Sequence, residues 1–379
     1  MPVLFKEIAS DLDLNLVQVG VVWGMASLPG LFGAFAAGLI SDRFGATRTL
    51  ALACLLQGMA GALRGISGNF IGLAIFMFLF GLFTIPLSFA THKAAGQWFS
   101  GRQLGLANGI LAMGMGVGTT VGALVSATVL SPWLGGWRHL MFAYGVIAIV
   151  VGFLWLSARR NPGSGEASLS TETVPFRQAL SHVVRIRSVW LLALFQLCIY
   201  GYSSGIIGYL PLYLRSIGWT PVSADGALTT FNAASVVGVI PLSLLSDRIG
   251  RRKVVIYLAV LMVIIGVSLL SAFGGKIVWP SVLFAGVVQE AFFALSITMV
   301  METEGVGARY AGTALGLMTT LAGIGGFFSP PVGNRLAQIN PSFAFIFWLA
   351  LAVVALGIFR FVEETGWRKK GFHLEGPLK

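Results

Sequence analysis

The chain has 379 residues, of which 56% are apolar and only 10% are charged. A soluble globular domain carries roughly 25% charged residues, so a water-soluble enzyme of this composition would need more than half of its side chains in a core. A disordered chain needs low hydrophobicity and is excluded as well. The composition therefore indicates a protein whose solvent is the lipid bilayer.

The formal charge of +11 also fits a membrane protein. The Lys and Arg residues lie in short segments between long apolar runs, without the basic stripe that binds nucleic acid, so no nucleic-acid partner is expected. Cys54 and Cys198 lie inside apolar runs and read as packed apolar residues. No histidine pair has metal-ligand spacing, so the sequence predicts neither a metal site nor a cofactor.

Eleven apolar segments are long enough to cross a bilayer, which requires about 20 helical residues. The predicted spans lie near 17–40, 49–67, 70–91, 105–130, 139–158, 189–214, 224–246, 254–272, 278–301, 310–335 and 342–361. If residues 41–48 face the cytoplasm, 19 of the 25 Lys and Arg residues lie on that side, which fixes the topology. The protein is then a multi-pass protein of the cytoplasmic membrane with a cytoplasmic C-terminus.

Two short motifs recur in both halves of the chain. Ser-Asp-Arg-Phe-Gly at 41–45 returns as Ser-Asp-Arg-Ile-Gly at 246–250, and Arg-x-x-Gly at 102–105 returns at 309–312. Matches at nearly one offset indicate structural repeats. The repeat places the counterpart of the span at 189–214 mostly before Met1, so we expect the sequence to lack most of a first span. The alternative is a genuine eleven-span protein with an outside N-terminus.

With the first visible span numbered 2, the repeat divides the chain into four parts. Residues 1–158 form an N-terminal bundle of spans 2–6, and residues 189–362 form a C-terminal bundle of spans 7–12. Residues 159–188 are predicted to be a cytoplasmic linker that ends in a short helix on the membrane surface. Residues 363–379 are predicted to be a cytoplasmic tail.

The recurring motifs resemble the major facilitator superfamily, whose hallmark between spans 2 and 3 is Gly-x-Leu-x-Asp-Arg-x-Gly-Arg-Arg/Lys. The first copy matches at Gly38, Asp42, Arg43, Gly45 and Arg48, and the second at Leu245, Asp247, Arg248, Gly250, Arg251, Arg252 and Lys253. The resemblance implies an all-α polytopic fold of two pseudo-symmetric helical bundles. It also implies a secondary transporter that works by alternating access around a midplane site.

The repeated motif suits a gate on the cytoplasmic side. An aspartate at the end of one span can face the positive N-terminus of a helix in the other half. We expect Asp42 to face the helix start marked by Arg309 and Gly312, and Asp247 to face the start marked by Arg102 and Gly105. The alternative is that these charges only set the membrane topology.

An ionisable group in the middle of a span is a functional candidate, because burying it in lipid costs several kcal/mol. Glu290 alone lies at such a depth and is the candidate proton or substrate site; the alternative is a structural carboxylate between helices. Arg64 and Asp225 lie near span ends and are expected to reach the membrane surface. Further candidates for the path are Gln196, Tyr200, Tyr202 and Asn232, each of which is alternatively a packed core residue. The resemblance places spans 7, 8 and 10 around the cavity and span 3 at the periphery.

The sequence therefore predicts a monomeric, proton-coupled permease or symporter for a small organic solute, with organic anions among the candidates. Trp98-Phe99 ahead of Arg102 resembles anion-carrying branches, but Met77 stands in span 4 where those branches often hold an arginine. The alternatives are a proton-linked exporter of cationic or apolar compounds and a non-transporting membrane sensor. The Gly-x-Ser-x-Gly pattern at 201–205 lies in an apolar span without a histidine partner, so no enzyme is predicted.

Overall fold

The computed structural model describes residues 1–32, 44–99, 101–157 and 176–366. Within these ranges the regular structure is helical and no strand occurs. The helices are α1 (Phe5–Asp11), α2 (Leu16–Met25), α3 (Ala46–Leu63), α4 (Phe70–Trp98), α5 (Gly101–Val125), α6 (Ser131–Leu134), α7 (Trp137–Ser157), α8 (Phe176–Val183), α9 (Arg187–Ser216), α10 (Pro221–Ile249), α11 (Arg252–Phe273), α12 (Val278–Gly286), α13 (Gln289–Glu302), α14 (Gly307–Ala337) and α15 (Pro341–Arg360).

Ten helical segments of the described chain are long and apolar enough to cross a membrane, with α12 and α13 counted together as one segment. They coincide with the ten predicted spans from 49–67 to 342–361. The predicted span at 17–40 is described as an apolar helical segment over Leu16–Phe32, which begins with α2. The prediction of an all-α polytopic membrane protein is confirmed.

Capping residues define where several of these helices begin. Asn15 and Gln18 form a reciprocal capping box at the start of α2. Asn69 accepts a hydrogen bond from the Gly72 N–H at the start of α4, and Thr220 accepts one from Ser223 before α10. These four helix-start residues satisfy backbone donors that a membrane would otherwise leave unpaired.

The N-terminal segment lies across one end of the molecule, which we call the α1 end. Glu7 of α1 accepts hydrogen bonds from the Ser131 hydroxyl at 2.8 and 2.9 Å and from the Trp137 N–H at 2.8 Å. Asp11 accepts from the Trp137 indole at 3.0 Å and forms a salt bridge with Arg138 at 2.8 Å. These contacts attach α1 to the connection between α6 and α7.

The chain folds into two halves, each with its own packing. In the C-terminal half, α9 is the central helix and packs against α14, α15 and α10. In the N-terminal half, α3 packs against α7 and α4. Gly58 of α3 makes the α3–α7 approach close, because a Cβ there would lie 2.8 Å from the Gly145 carbonyl oxygen. The halves meet where α2 packs on α14 and where α5 packs on α10.

One face of α5 differs from the corresponding face of α14. At the repeat offset of the two Arg-x-x-Gly motifs, Gly118 corresponds to Gly325, where a Cβ would lie 2.1 Å from the Leu197 carbonyl oxygen of α9. A Cβ on Gly118 would meet no described atom within 4 Å, and Leu106 and Ile110 earlier in the same helix are exposed. Within the described ranges, no helix covers α5 as α9 covers α14.

Candidate functional site

A cavity of about 580 Å³ lies between the two halves. Its wall includes Trp23, Arg64, Met77, Phe80, Thr84, Tyr200, Phe293 and Thr319. They come from spans 2, 3, 4, 7, 10 and 11, so the cavity lies where both bundles contribute side chains. Span 8, which was expected to contribute, supplies none of the described wall, whereas span 3, expected at the periphery, supplies Arg64.

Two of the spans that supply cavity residues are interrupted. The α2 helix ends at Met25, and a turn over residues 26–29 follows, with Ala26, Ser27 and Gly30 on the cavity wall. The span of α12 and α13 is interrupted at residues 287–288, in the middle of its length. Irregular backbone at membrane depth is tolerated where it is buried in protein or lines a cavity. Interrupted helices also place their termini at the substrate sites of transporters.

Gly81 of α4 allows α4 to contact the interruption in α2. A Cβ at this position would lie 2.1 Å from the Ala26 carbonyl oxygen, so only glycine fits without moving the backbone. This contact fixes the position of the turn that lines the cavity.

Arg64 is the cation of the cavity wall. Its side chain is 6% exposed, and its guanidinium carbon lies 4.2 Å from the centre of the Phe80 ring. The Nε atom donates to the Gly61 carbonyl oxygen at 3.3 Å, and Nη1 lies 3.5 Å from the Met77 sulfur. None of the salt bridges among the described residues includes Arg64. The cation is thus buried without a described carboxylate partner.

The expectation that Arg64 reaches the membrane surface is wrong. A short 3₁₀ turn over Arg64–Ile66 ends the helix, and the guanidinium turns back against α4 instead of extending toward water. Stacking on Phe80 compensates part of the desolvation of the cation. The end of span 3 thus places a positive charge beside Met77 of span 4.

Glu290 lies in the first turn of α13, directly after the helix interruption. Its N–H donates to the Ser235 hydroxyl of α10 at 3.1 Å. The side chain is exposed, and its carboxylate lies within electrostatic reach of the Tyr200 phenol. The sequence placed Glu290 correctly at mid-span, but the carboxylate is not enclosed by the described helices. The positive partial charge of the α13 N-terminus acts on it instead.

The other four path candidates divide between the cavity and the core. Tyr200 lines the cavity, where its ring and the Ser27 side chain both contact Gly326. Tyr202 is fully buried and donates from its hydroxyl to the Ala285 carbonyl oxygen at 3.1 Å. Gln196 is buried, and Asn232 is half-buried; neither is part of the described cavity wall.

The glycines of the repeated motif occupy backbone conformations that favour glycine. Gly45 has φ of 80° before α3, and Gly250 has φ of 66° at the end of α10. A residue with a Cβ is strained at such angles. Gly38, Asp42 and Arg43 of the first copy lie outside the described residues, and Arg48 is exposed.

The second copy of the motif forms a charged cluster within its own half. Arg252 donates through Nε and Nη2 to the two carboxylate oxygens of Glu302, both at 2.8 Å, and through Nη1 to Asp247 at 2.8 Å. Glu364 accepts the Arg252 N–H at 2.8 Å and so caps α11. Arg248 and Arg251 are exposed.

The expected contact of Asp247 with the start of α5 stays a prediction. The side chains of Arg102 and Arg309 and the surroundings of Gly105 lie outside the description. On the other helix start, a Cβ on Gly312 would meet no described atom within 4 Å.

The cavity is closed toward the α1 end by contacts between the halves. The Trp23 indole donates to the Ser204 carbonyl oxygen at 2.9 Å, and the Asn334 amide donates to the Leu16 carbonyl oxygen at 2.8 Å. Gly24 packs so closely on α14 that a Cβ would lie 2.4 Å from the Phe327 carbonyl oxygen. The described structure is therefore a state in which this end is shut.

A buried ion pair stabilises the same end. Arg215 at the end of α9 forms a salt bridge with Asp225 of α10, and it also donates to the Val3 carbonyl oxygen at 2.8 Å. The Asp225 side chain is 0% exposed, so the expectation that it reaches the membrane surface is wrong. Its partner Arg215 lies ten residues earlier, on the other side of a turn. A hydropathy pattern does not indicate that two such residues form a pair.

A helical membrane protein built of two related halves, with a cavity between them that is shut at one end, has the architecture of a secondary transporter. The chain belongs to the Major Facilitator Superfamily, whose family model matches residues 1–226 and 196–373. Family and relatives are transporters, which agrees with the prediction that this chain is not an enzyme.

Curated relatives and a solved structure match nearly the whole chain. The probable nitrate/nitrite antiporter NarK1 of Thermus thermophilus is 25% identical over 99% of this chain and 91% of its own length. The probable sulfoacetate transporter SauU of Cupriavidus necator is 24% identical over 92% of this chain and 85% of its own length. The crystal structure of a bacterial homologue of the human lysosomal transporter Spinster, inward-facing and unoccupied, is similar in fold. It has a TM-score of 0.73 at 15% identity and covers 95% of this chain and 92% of that chain.

Proposed function

We propose that this protein carries a small organic anion across the cytoplasmic membrane by alternating access. Arg64 carries the proposal, because its guanidinium is buried on the cavity wall without a described carboxylate partner. A buried, uncompensated cation is costly, and a bound anion relieves that cost. The two relatives named above are described as transporters of nitrate/nitrite and of sulfoacetate, both anions, which supports the same charge class.

The α1 end corresponds to the outside in this proposal. The excess of Lys and Arg in the connections at the opposite end supports a cytoplasmic position for that end and for the C-terminus. The described structure is then closed to the outside, and the anion leaves or enters the cavity on the cytoplasmic side. In the state that is open to the outside, the hydrogen bonds that Trp23 and Asn334 make to the other half are broken.

Glu290 is the proposed proton-carrying group. It lies at mid-span beside a helix interruption, it is exposed, and no salt bridge among the described residues includes it. A carboxylate whose access changes between the two states can take up a proton on one side and release it on the other. Proton uptake at Glu290 together with an anion at Arg64 gives symport.

The same residues weigh against an exporter of cationic compounds. A cation in the cavity would be repelled by Arg64, which has no described carboxylate to neutralise it. A non-transporting sensor would bind the anion without moving it, so a flux measurement separates that class from a transporter.

The test is uptake into proteoliposomes that contain the full chain, under an inward proton gradient. Labelled benzoate, glucuronate and sulfoacetate are offered separately as probes. We expect at least one of them to accumulate, and Arg64→Gln to reduce that uptake at least tenfold. A charged hydrogen bond is worth about 1.5–3 kcal/mol, and 1.4 kcal/mol corresponds to a factor of ten.

Arg335→Gln is the matched control. It removes the same charge from an exposed arginine that bonds to Gln338 and lies outside the cavity wall. Uptake by this variant should equal that of the unmodified protein. Binding of a probe without flux, no accumulation of any of the three probes, or equal uptake by the two arginine variants would overturn the proposed function.

A further inference from the structure

Besides its positive charge, the cavity wall has features that indicate which class of anion it binds. We propose that the anion is a monocarboxylate with an aromatic or similarly flat apolar body. This inference rests on the proposed function, because it specifies the anion that Arg64 binds. The inference follows from three properties of the wall, namely its charge, the occupation of its hydrogen-bond donors, and its apolar surface.

The charges favour a single negative charge on the substrate. Arg64 is the one charged side chain of the described wall, and its guanidinium matches the two oxygens of one carboxylate. A second carboxylate on the substrate would find no second cationic side chain on the described wall and would lie unpaired in the cavity.

Several hydrogen-bond donors of the wall are already in use, which disfavours a polyhydroxylated substrate. The Thr84 hydroxyl already donates to the Phe80 carbonyl oxygen at 2.7 Å, and the Thr319 hydroxyl donates to Leu315 at 2.8 Å. The Trp23 indole donates to the Ser204 carbonyl oxygen. Hydroxyl groups of a sugar acid would therefore exchange water for a wall on which these three donors are occupied, at a cost for each unmatched group.

The remaining surface is apolar and largely aromatic. Phe80 stacks on the Arg64 guanidinium, and the Met77 sulfur lies beside its Nη1 atom. Phe293 lines the cavity from α13 in the other half. Because Phe80 covers one face of the guanidinium, a carboxylate binds at its N–H edge. The body of the substrate then extends toward Trp23 and Phe293, where ring stacking and sulfur–aromatic contacts favour an aromatic ring.

The size of the cavity favours an organic anion over an inorganic one. A volume of about 580 Å³ lies in the range of organic ligand sites, which span roughly 300–1,000 Å³. An anion of four or five atoms at Arg64 would leave most of the apolar wall uncovered and would gain little from apolar contact.

The experiment measures competition by matched compounds in the same proteoliposomes, with labelled 3-phenylpropionate as the probe. Unlabelled benzoate should compete, whereas 3-phenylpropionamide, which lacks the charge, and phthalate, which adds a second charge, should each compete at least tenfold more weakly. Glucuronate and nitrate should also compete at least tenfold more weakly.

Arg64→Gln should abolish uptake of the probe, and Phe80→Leu should raise its apparent KM severalfold. Phe343→Leu, an exposed position on α15, is the matched control and should leave the KM unchanged.

The outcomes separate this inference from the proposed function. If glucuronate, sulfoacetate or nitrate accumulates in an Arg64-dependent way and 3-phenylpropionate neither accumulates nor competes, the substrate class is wrong and the anion transporter stands. Equal competition by phthalate or by the amide also overturns the substrate class. If no anion accumulates, both proposals fail. If aromatic acids accumulate equally in Arg64→Gln, the assignment of the carboxylate to Arg64 is wrong.

Discussion

Replacing Gly24 by alanine should open the α1 end. A Cβ on Gly24 would lie 2.4 Å from the Phe327 carbonyl oxygen and 3.2 Å from the Phe327 Cα of α14. Ordinary contacts begin at 3.4 Å and are at least 1 Å longer than the first distance, so α2 and α14 must separate at this point. Overpacking of this kind costs about 1–3 kcal/mol, and the cost applies only while the two helices are in contact.

That cost converts into a change in the population of the two states. With RT of about 0.6 kcal/mol, 1–3 kcal/mol shifts the equilibrium away from the state closed at the α1 end by roughly 5- to 150-fold. Alanine also favours helix over glycine by about 1 kcal/mol, which would stabilise the helix in either state. Gly357→Ala controls for this propensity, because a Cβ on Gly357 of α15 would meet no described atom within 4 Å.

The assay is the labelling rate of a cysteine in the cavity. Ser203→Cys is introduced after Cys54 and Cys198 are replaced, and an impermeant maleimide is added from the α1 side. Gly24→Ala should label at least fivefold faster than Gly357→Ala. Equal rates in these two variants, with both correctly inserted, would refute the contact between α2 and α14 as the closure of this end.

Three further predictions follow from the site and the motif. Glu290→Gln should abolish accumulation driven by a proton gradient while anion exchange continues, and unchanged accumulation with the same pH dependence would leave Glu290 only a structural role. Gly250→Ala should slow transport without affecting membrane insertion, because φ of 66° costs a residue with a Cβ about 1–2 kcal/mol; transport at the normal rate would contradict this. Arg252→Ala leaves Glu302 and Asp247 without their shared partner, so the unfolding temperature should fall by several degrees, whereas Arg251→Ala at an exposed neighbour should not change it.

The parts of the fold that hydropathy and repetition determine were predictable from the sequence. Ten spans agree with the structure, because apolar length alone defines a helix in a bilayer. The glycines at 45 and 250 recur at matching places in both halves, and both have positive φ. A repeated turn therefore left a signal that a single sequence can show.

The cavity was less predictable, because contacts between distant segments form it. Arg64 lies near the end of a span, and only the packing of α4 shows that it turns inward against Phe80. The interruption at residues 287–288 contains two valines, which give no sign of a helix break. Tyr200 and Tyr202 are two residues apart on one helix, and only their neighbours decide which one lines the cavity and which one is core.

The close packing of α14 on α9 has a mechanical consequence. A Cβ on Gly325 of α14 would lie 2.1 Å from the Leu197 carbonyl oxygen of α9. A close-packed interior transmits strain with little deformation. The two helices should therefore move as one rigid lever during the transport cycle, and a displacement where α2 contacts α14 should be passed on to α9.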